Sequence, residues 1–106
     1  MADMSSPTHF DWNQFNIEHI ALHDVLPHEA EEAYDSQPLY LDYQIDDGEE
    51  RHREIGETRK GRVLVVVTTM RGEKVRVVTA YDPDPPLRMT YFAFKESEQN
   101  GETNYP

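Results

Sequence analysis

The sequence predicts an α+β fold: two N-terminal helices, a four-stranded antiparallel β-meander and a C-terminal helix. Three observations carry it. Apolar residues after Asp11 recur at helical spacing. From Leu39 the period changes to two, and extended runs follow one another across short turn sequences. Asp82-Pro83-Asp84-Pro85-Pro86 then rules out a further strand, because proline offers no donor to a β-ladder. Helices kept apart from consecutive strands give an α+β domain, with the helices expected to cover one face of the sheet.

Each element has its own local reason. Asp11 and Gln14 have the spacing of a capping box, and Trp12, Phe15, Ile20 and Leu22 follow at helical intervals. Asp24 and Val25 end this helix. Pro27 suits the first position of a second one, with Glu29, Glu31 and Glu32 near the positive end of its dipole. Ala30, Ala33 and Tyr34 give it an apolar side, and Ser36-Gln37-Pro38 stops it. Leu39, Leu41, Tyr43 and Ile45 alternate with polar partners as a half-buried strand, and Asp46-Asp47-Gly48 turns the chain. A second strand is expected over Arg51 to Thr58. The β-branched run Val63 to Val67 is that of a central strand, and Lys74 to Tyr81 makes the fourth. Asp84 suits a cap and Pro85 the start of a last helix carrying Leu87, Arg88, Tyr91 and Phe94 on one side.

At 106 residues the chain fits one small domain, read as residues 10–95, between a flexible arm over 1–9 and a disordered tail over 96–106. It has no internal repeat, no cysteine and no apolar run long enough to span a membrane. The first residues lack the basic and apolar regions of a secretory signal, so the cytoplasm is the expected compartment. Charge is segregated. Residues 1–50 carry 13 acidic groups and no Lys or Arg, whereas eight of the ten Lys and Arg lie between Arg51 and Arg76. A net charge of −11 disfavours non-specific nucleic-acid and anionic-membrane binding, yet the basic residues gather on predicted sheet.

The chemistry-bearing candidates are few. His19 and His23 stand four apart and share a helical stripe with Asn16 and Ile20. Three uses remain open: half of a metal site, proton transfer, or imidazoles satisfied within a packed face. Arg53 shares strand parity with Arg51 and Ile55, so it leans toward the core and needs an anion, either an internal carboxylate or a ligand phosphate. Arg76 lies mid-strand, Arg62 opens the apolar strand, and Arg88 and Tyr91 are three apart on the last helix. Two imidazoles, several guanidiniums and a phenol, if they converge, are what a ribonuclease without metal uses. One group deprotonates the 2′-hydroxyl, one protonates the leaving 5′-oxygen, and cations hold the charge that develops on phosphate.

Three blocks of this chain resemble the BrnT family of toxins from bacterial type II toxin–antitoxin systems, over roughly residues 10–94. The first is Phe10-Asp11-Trp12-Asn13, then Asn16 to Ile20, His23, Pro27, Glu29 and Glu31-Glu32. The second is Glu49 to Thr58, continuing Gly61 to Val67. The third is Arg71-Gly72, Val75 to Ala80, Arg88 and Tyr91. The resemblance implies a RelE-like fold and a ribonuclease that arrests growth. It also implies a BrnA-like antitoxin partner with a DNA-binding region, in an oligomer able to repress its own operon. His19, His23, Arg53, Arg62, Arg76, Arg88 and Tyr91 are the candidates it implies; of these, Arg62 is expected to bind RNA phosphate together with Arg51 and Lys74 of the basic sheet, the others are expected to be catalytic, and no cofactor is expected. The chain departs from the family pattern at Leu22, where Arg or Lys is usual, at Asp24, where Gly is usual, and at Tyr81, where Arg is usual. These departures set a second expectation beside the first: an interaction protein that keeps the fold and the partner surface without nuclease activity. A third is an unrelated metal-dependent enzyme or structural domain.

Overall fold

A computed structural model describes residues 9–104, with side chains through residue 99; of the arm expected over residues 1–9, residues 1–8 lie outside the described residues. The element order is α1 (Gln14–Ala21), α2 (Pro27–Tyr34), β1 (Leu39–Asp46), β2 (Glu49–Glu57), β3 (Val63–Arg71), β4 (Lys74–Tyr81) and α3 (Pro85–Asn104). The strands form one antiparallel meander in the order β1-β2-β3-β4. The α+β architecture is therefore the expected one. No helix among the described residues is long and apolar enough to cross a membrane.

The layering differs from expectation. The helices do not share one sheet face. Leu64 and Val66 pack with Phe10, Ile20, Val25, Ala30 and Ala33, so α1 and α2 cover one face. Val63, Val65 and Val67 pack with Ile55 and Tyr91, so α3 covers the other. Consecutive side chains of a strand point to opposite faces, and the unbroken apolar run of β3 fills both cores. The chain also continues helical to Asn104, past Glu96 where a tail was expected.

An eight-residue helix is not stable alone, so tertiary contacts must hold α1. Its cap is Asn13, not Asp11: Asn13 Oδ1 accepts from the Phe15 and Asn16 backbone N–H at 2.8 and 3.3 Å, and Asn16 Oδ1 accepts from Asn13 N at 2.8 Å. Asn16 is buried and fully used, its amide donating to Asp11 O and Val77 O, each at 3.1 Å. Ile20 is wholly buried beside it, which contributes about 1.5–3 kcal/mol. These two anchors fix the roll of α1 against β4 and hence the direction of His19. Pro27 opens α2, and Glu29 accepts from Leu26 N at 3.0 Å. Trp12 Nε1 donates to Glu31 at 2.7 Å and ties the two helices together. At Gly56 any Cβ would collide with the Ala33 carbonyl, so glycine is what lets α2 lie on β2.

Turns set the register. Asp47 and Gly48, at φ 54° and 80°, make a two-residue hairpin turn with both φ positive, joining Asp46 to Glu49. Between β3 and β4, Val67 pairs with Thr79 but Thr68 pairs with Val77, so Val78 is the extra residue of a bulge. β2 begins before the expected Arg51 and ends just short of Thr58, β3 continues past Val67 to Arg71, and β4 spans the expected residues.

Candidate functional site

The register gathers the basic residues. Arg53 pairs with Val67, Arg76 with Thr69 and Lys74 with Arg71. Alternation then places Arg51, Arg53, Arg71, Lys74 and Arg76 on the face that α3 covers, at the end that α3 leaves open. The bulge adds Thr79 to the same face although it is three residues from Arg76. α1 runs along β4 and closes the side. The result is a groove of ≈ 480 Å³ lined by Phe15, Asn16, His19, Glu49, Arg51, Arg71, Arg76, Val78 and Thr79.

Three of the residues singled out in the sequence meet there: His19, Arg51 and Arg76. His23 lies just beyond, its ring centroid 6.0 Å from that of His19 and 5.9 Å from that of Tyr81. Arg71, Thr79 and Glu49 were not anticipated. A parity argument finds Arg71 once the tight β3–β4 turn is known, but nothing in the sequence announces the bulge that brings Thr79 in. The Thr79 hydroxyl is buried without a hydrogen-bond partner among the described residues.

The groove is cationic but not bare. Glu49 accepts from Arg51 Nε and from Arg71 Nη2, both at 3.2 Å, and so bridges the two guanidiniums. Arg51 also reaches Asp46 at 2.7 Å. Arg76, with a side chain only 15% exposed, has Asp11 at 3.6 Å, too long for a strong pair. Lys74 makes no ion pair with a described carboxylate.

The remaining candidates fall elsewhere. Arg53 is held by an internal carboxylate, as one of its two expected uses has it. It makes a two-pronged pair with Asp42 at 2.8 and 2.9 Å, which keeps the Asp42 carboxyl below the usual carboxylate range and, with the Tyr81 hydroxyl, raises the guanidinium further. Arg62, expected to bind phosphate, is engaged by partners within the fold. It binds Asp82 at 3.0 and 3.1 Å, Glu29 at 3.2 Å, and the carbonyls of Asp24 and His23. Asp82, then the other carboxylate, raise its pKa. This clamp fixes the end of α1, where Asp24 adopts φ 59°, the left-handed conformation that glycine favours. Arg88 and Tyr91 do not converge with the histidines. Arg88 sits 5.2 Å from the Phe92 ring centroid, and Tyr91 is 1% exposed in the α3-side core. Burial, then Glu57, pushes the Tyr91 phenol up to about 12, and its hydroxyl donates to Glu57 at 3.2 Å. That end of the sheet carries a separate groove of ≈ 600 Å³ lined by His28, Glu31, Glu32, Asp35, Ser36, Glu57, Thr58, Arg59, Tyr91 and Lys95. Among the described residues, no three His, Asp or Glu side chains gather as a metal-ligand set.

The cationic groove thus holds one imidazole, His19, with a second, His23, just beyond it, together with three guanidiniums and an exposed aromatic ring, Phe15. The family model described as ribonuclease toxin, BrnT, of type II toxin-antitoxin system matches residues 12–85. No curated protein matches the chain.

Proposed function

Because the chain belongs to the BrnT family of ribonuclease toxins of type II toxin–antitoxin systems, we propose that it cleaves RNA in the groove between α1 and the open end of the sheet. The observation that carries this reading is that His19 shares one groove with Arg51, Arg71 and Arg76. In the proposed reaction one imidazole of the His19–His23 pair takes the 2′-hydroxyl proton. The 2′-oxygen attacks the adjacent phosphorus, the bond to the 5′-oxygen breaks, and the other imidazole returns a proton to that oxygen. The products are a 2′,3′-cyclic phosphate and a free 5′-hydroxyl. Arg76, with Arg51 and Arg71, holds the charge on the non-bridging oxygens. No step draws on a metal.

The carboxylates already in the groove oppose this reading least where they are most exposed. In each pair one partner is open to solvent, Arg71 at 54% and Asp46 at 62%, while the other, Glu49 at 29% and Arg51 at 31%, is half-buried. Such pairs are worth about 0–1 kcal/mol, so a phosphate exchanges with them at little cost.

Family membership implies an antitoxin partner. The finer reading is a BrnA-like, DNA-binding antitoxin in an oligomeric complex, in the cytoplasm, on a RelE-like fold. The chain's acidity, −11 overall, suits a basic partner. A second reading is favoured by a specific observation: Glu49 and Asp46 occupy the guanidiniums, and Leu22 and Tyr81 stand beside His23 where family cations are usual. In that reading the protein binds its antitoxin without cutting RNA. Incubation of the purified protein with total RNA at low salt in EDTA decides between them. The nuclease reading expects cleavage that His19→Ala, His23→Ala or Arg76→Ala abolishes. Intact RNA, or cleavage indifferent to all three, overturns it.

A further inference from the structure

Phe15 is the second residue of α1, and 71% of its surface is exposed. It does nothing for the core: the residues of α1 that are buried are Asn16 and Ile20. It is not an isolated surface apolar group either, because it lines the same groove as His19, Arg51, Arg71 and Arg76. Leu22, 80% exposed on the same segment, lies outside that groove and has no planar face.

An open aromatic ring beside several guanidiniums is the arrangement that single-stranded nucleic acid rewards. Cations track the phosphates, and an unstacked base lies flat on the ring. A duplex cannot present that base without breaking its own stack. The ring is also held ready. The Phe15 N–H is bonded to the Asn13 cap at 2.8 Å, and Asn16 pins the first turn of α1 to Val77. With two side-chain torsions to order, a Phe on a fixed helix turn loses little entropy when a base stacks on it.

We propose that Phe15 is a base-stacking platform beside the scissile phosphate, and that it makes the groove select single-stranded RNA over duplex. This rests on the reading of the groove as the RNA site. It adds the substrate class and a positioning residue that acts on binding and not on proton transfer.

The test uses the full chain and a short, non-self-complementary 2′-O-methyl RNA, which cannot be cleaved through its 2′-oxygen. Affinity is followed by fluorescence anisotropy from about 50 to about 200 mM salt. Phe15→Ala is expected to weaken binding about 5- to 100-fold, with the slope of log affinity against log salt unchanged, because stacking releases no counterion. Phe15→Trp is expected to retain binding and Leu22→Ala to leave it unaltered. Arg76→Ala is expected to flatten the slope by about 0.7. Annealing the strand to its complement, or placing an abasic site in it, is expected to narrow the gap between wild type and Phe15→Ala. Equal affinity of wild type and Phe15→Ala for the single strand, or an equal loss on duplex, overturns the proposal and leaves the groove reading intact. No change of affinity or slope in Arg76→Ala instead removes the groove reading, and this proposal with it.

Discussion

Two grooves lie at opposite ends of β2 and carry opposite charge. The one beside His19 sets Arg51, Arg71 and Arg76 against Glu49. The one beside Tyr91 sets Glu31, Glu32, Asp35 and Glu57 against Arg59 and Lys95. The acidic groove is the larger, ≈ 600 Å³ against ≈ 480 Å³. Volume alone would choose it as the working site. In the proposed reading a polyanion enters the smaller one, because the sign of the local field decides whether a phosphate enters at all. In a chain of net charge −11 the site is thus a local inversion of the global field, made by strand register and turn geometry and not by composition.

The largest effect should come from erasing that inversion. Replacing Arg51, Arg71 and Arg76 together by Ala is expected to cost about 100-fold or more in RNA affinity, each charge-assisted contact being worth about 1.5–3 kcal/mol before competition from carboxylates. The matching double change Arg59→Ala and Lys95→Ala in the acidic groove is expected to leave affinity within about two-fold, since neither side chain meets a phosphate in this account. Titration of both variants with labelled RNA checks the pair.

A second contrast is in pH. Tyr91 borders the acidic groove and stays protonated to about 12 in the folded chain, against an ordinary value of 10.0. In the unfolded chain the phenol ionises first, so unfolding releases a proton between those values. Stability is therefore full below pH 10 and falls as pH rises to 12, by at most about 1.4 kcal/mol per unit. Tyr91→Phe is expected to flatten this alkaline limb in thermal melts without altering RNA affinity. Tyr34, also raised by burial and then by neighbouring carboxylates, leaves a residual slope of the same sign.

The smallest effect is expected at Thr79. Thr79→Val keeps the shape and removes a buried hydroxyl that has no partner among the described residues. It should raise stability by up to about 1 kcal/mol in urea unfolding. A loss of stability would mean that the hydroxyl is satisfied in solution.

How much of this was readable in the sequence depends on which physical effect acted. Period and turn chemistry are local, so the element order and the bounds of β4 followed from residue types alone. The two-sided burial was also written in β3, whose run Val63 to Val67 leaves no polar face, although the helices were expected on one side. The cap of α1 was expected at Asp11 and lies at Asn13. Asn13 wins because Asn16 can return its hydrogen bond and be buried by Val77. The site was harder. His19, Arg51 and Arg76 were identified by type, but their meeting depends on a bulge at Val78 and a two-residue turn after Arg71. Arg62 looked like a free cation because its partners, Asp82 and Glu29, are far away in sequence. Tyr91 looked accessible because three-residue spacing suggested that it and Arg88 point together. In fact one faces the core and the other lies over Phe92.

The claim that one groove and not the other receives RNA is tested most directly by mapping amide chemical-shift changes in the labelled protein as a short 2′-O-methyl RNA is added. The account predicts shifts concentrated at Phe15, His19, Arg51, Arg71, Arg76 and Thr79, with Thr58, Arg59 and Lys95 unmoved. Shifts centred on Thr58, Arg59 and Lys95, or none anywhere at saturating RNA, would contradict it.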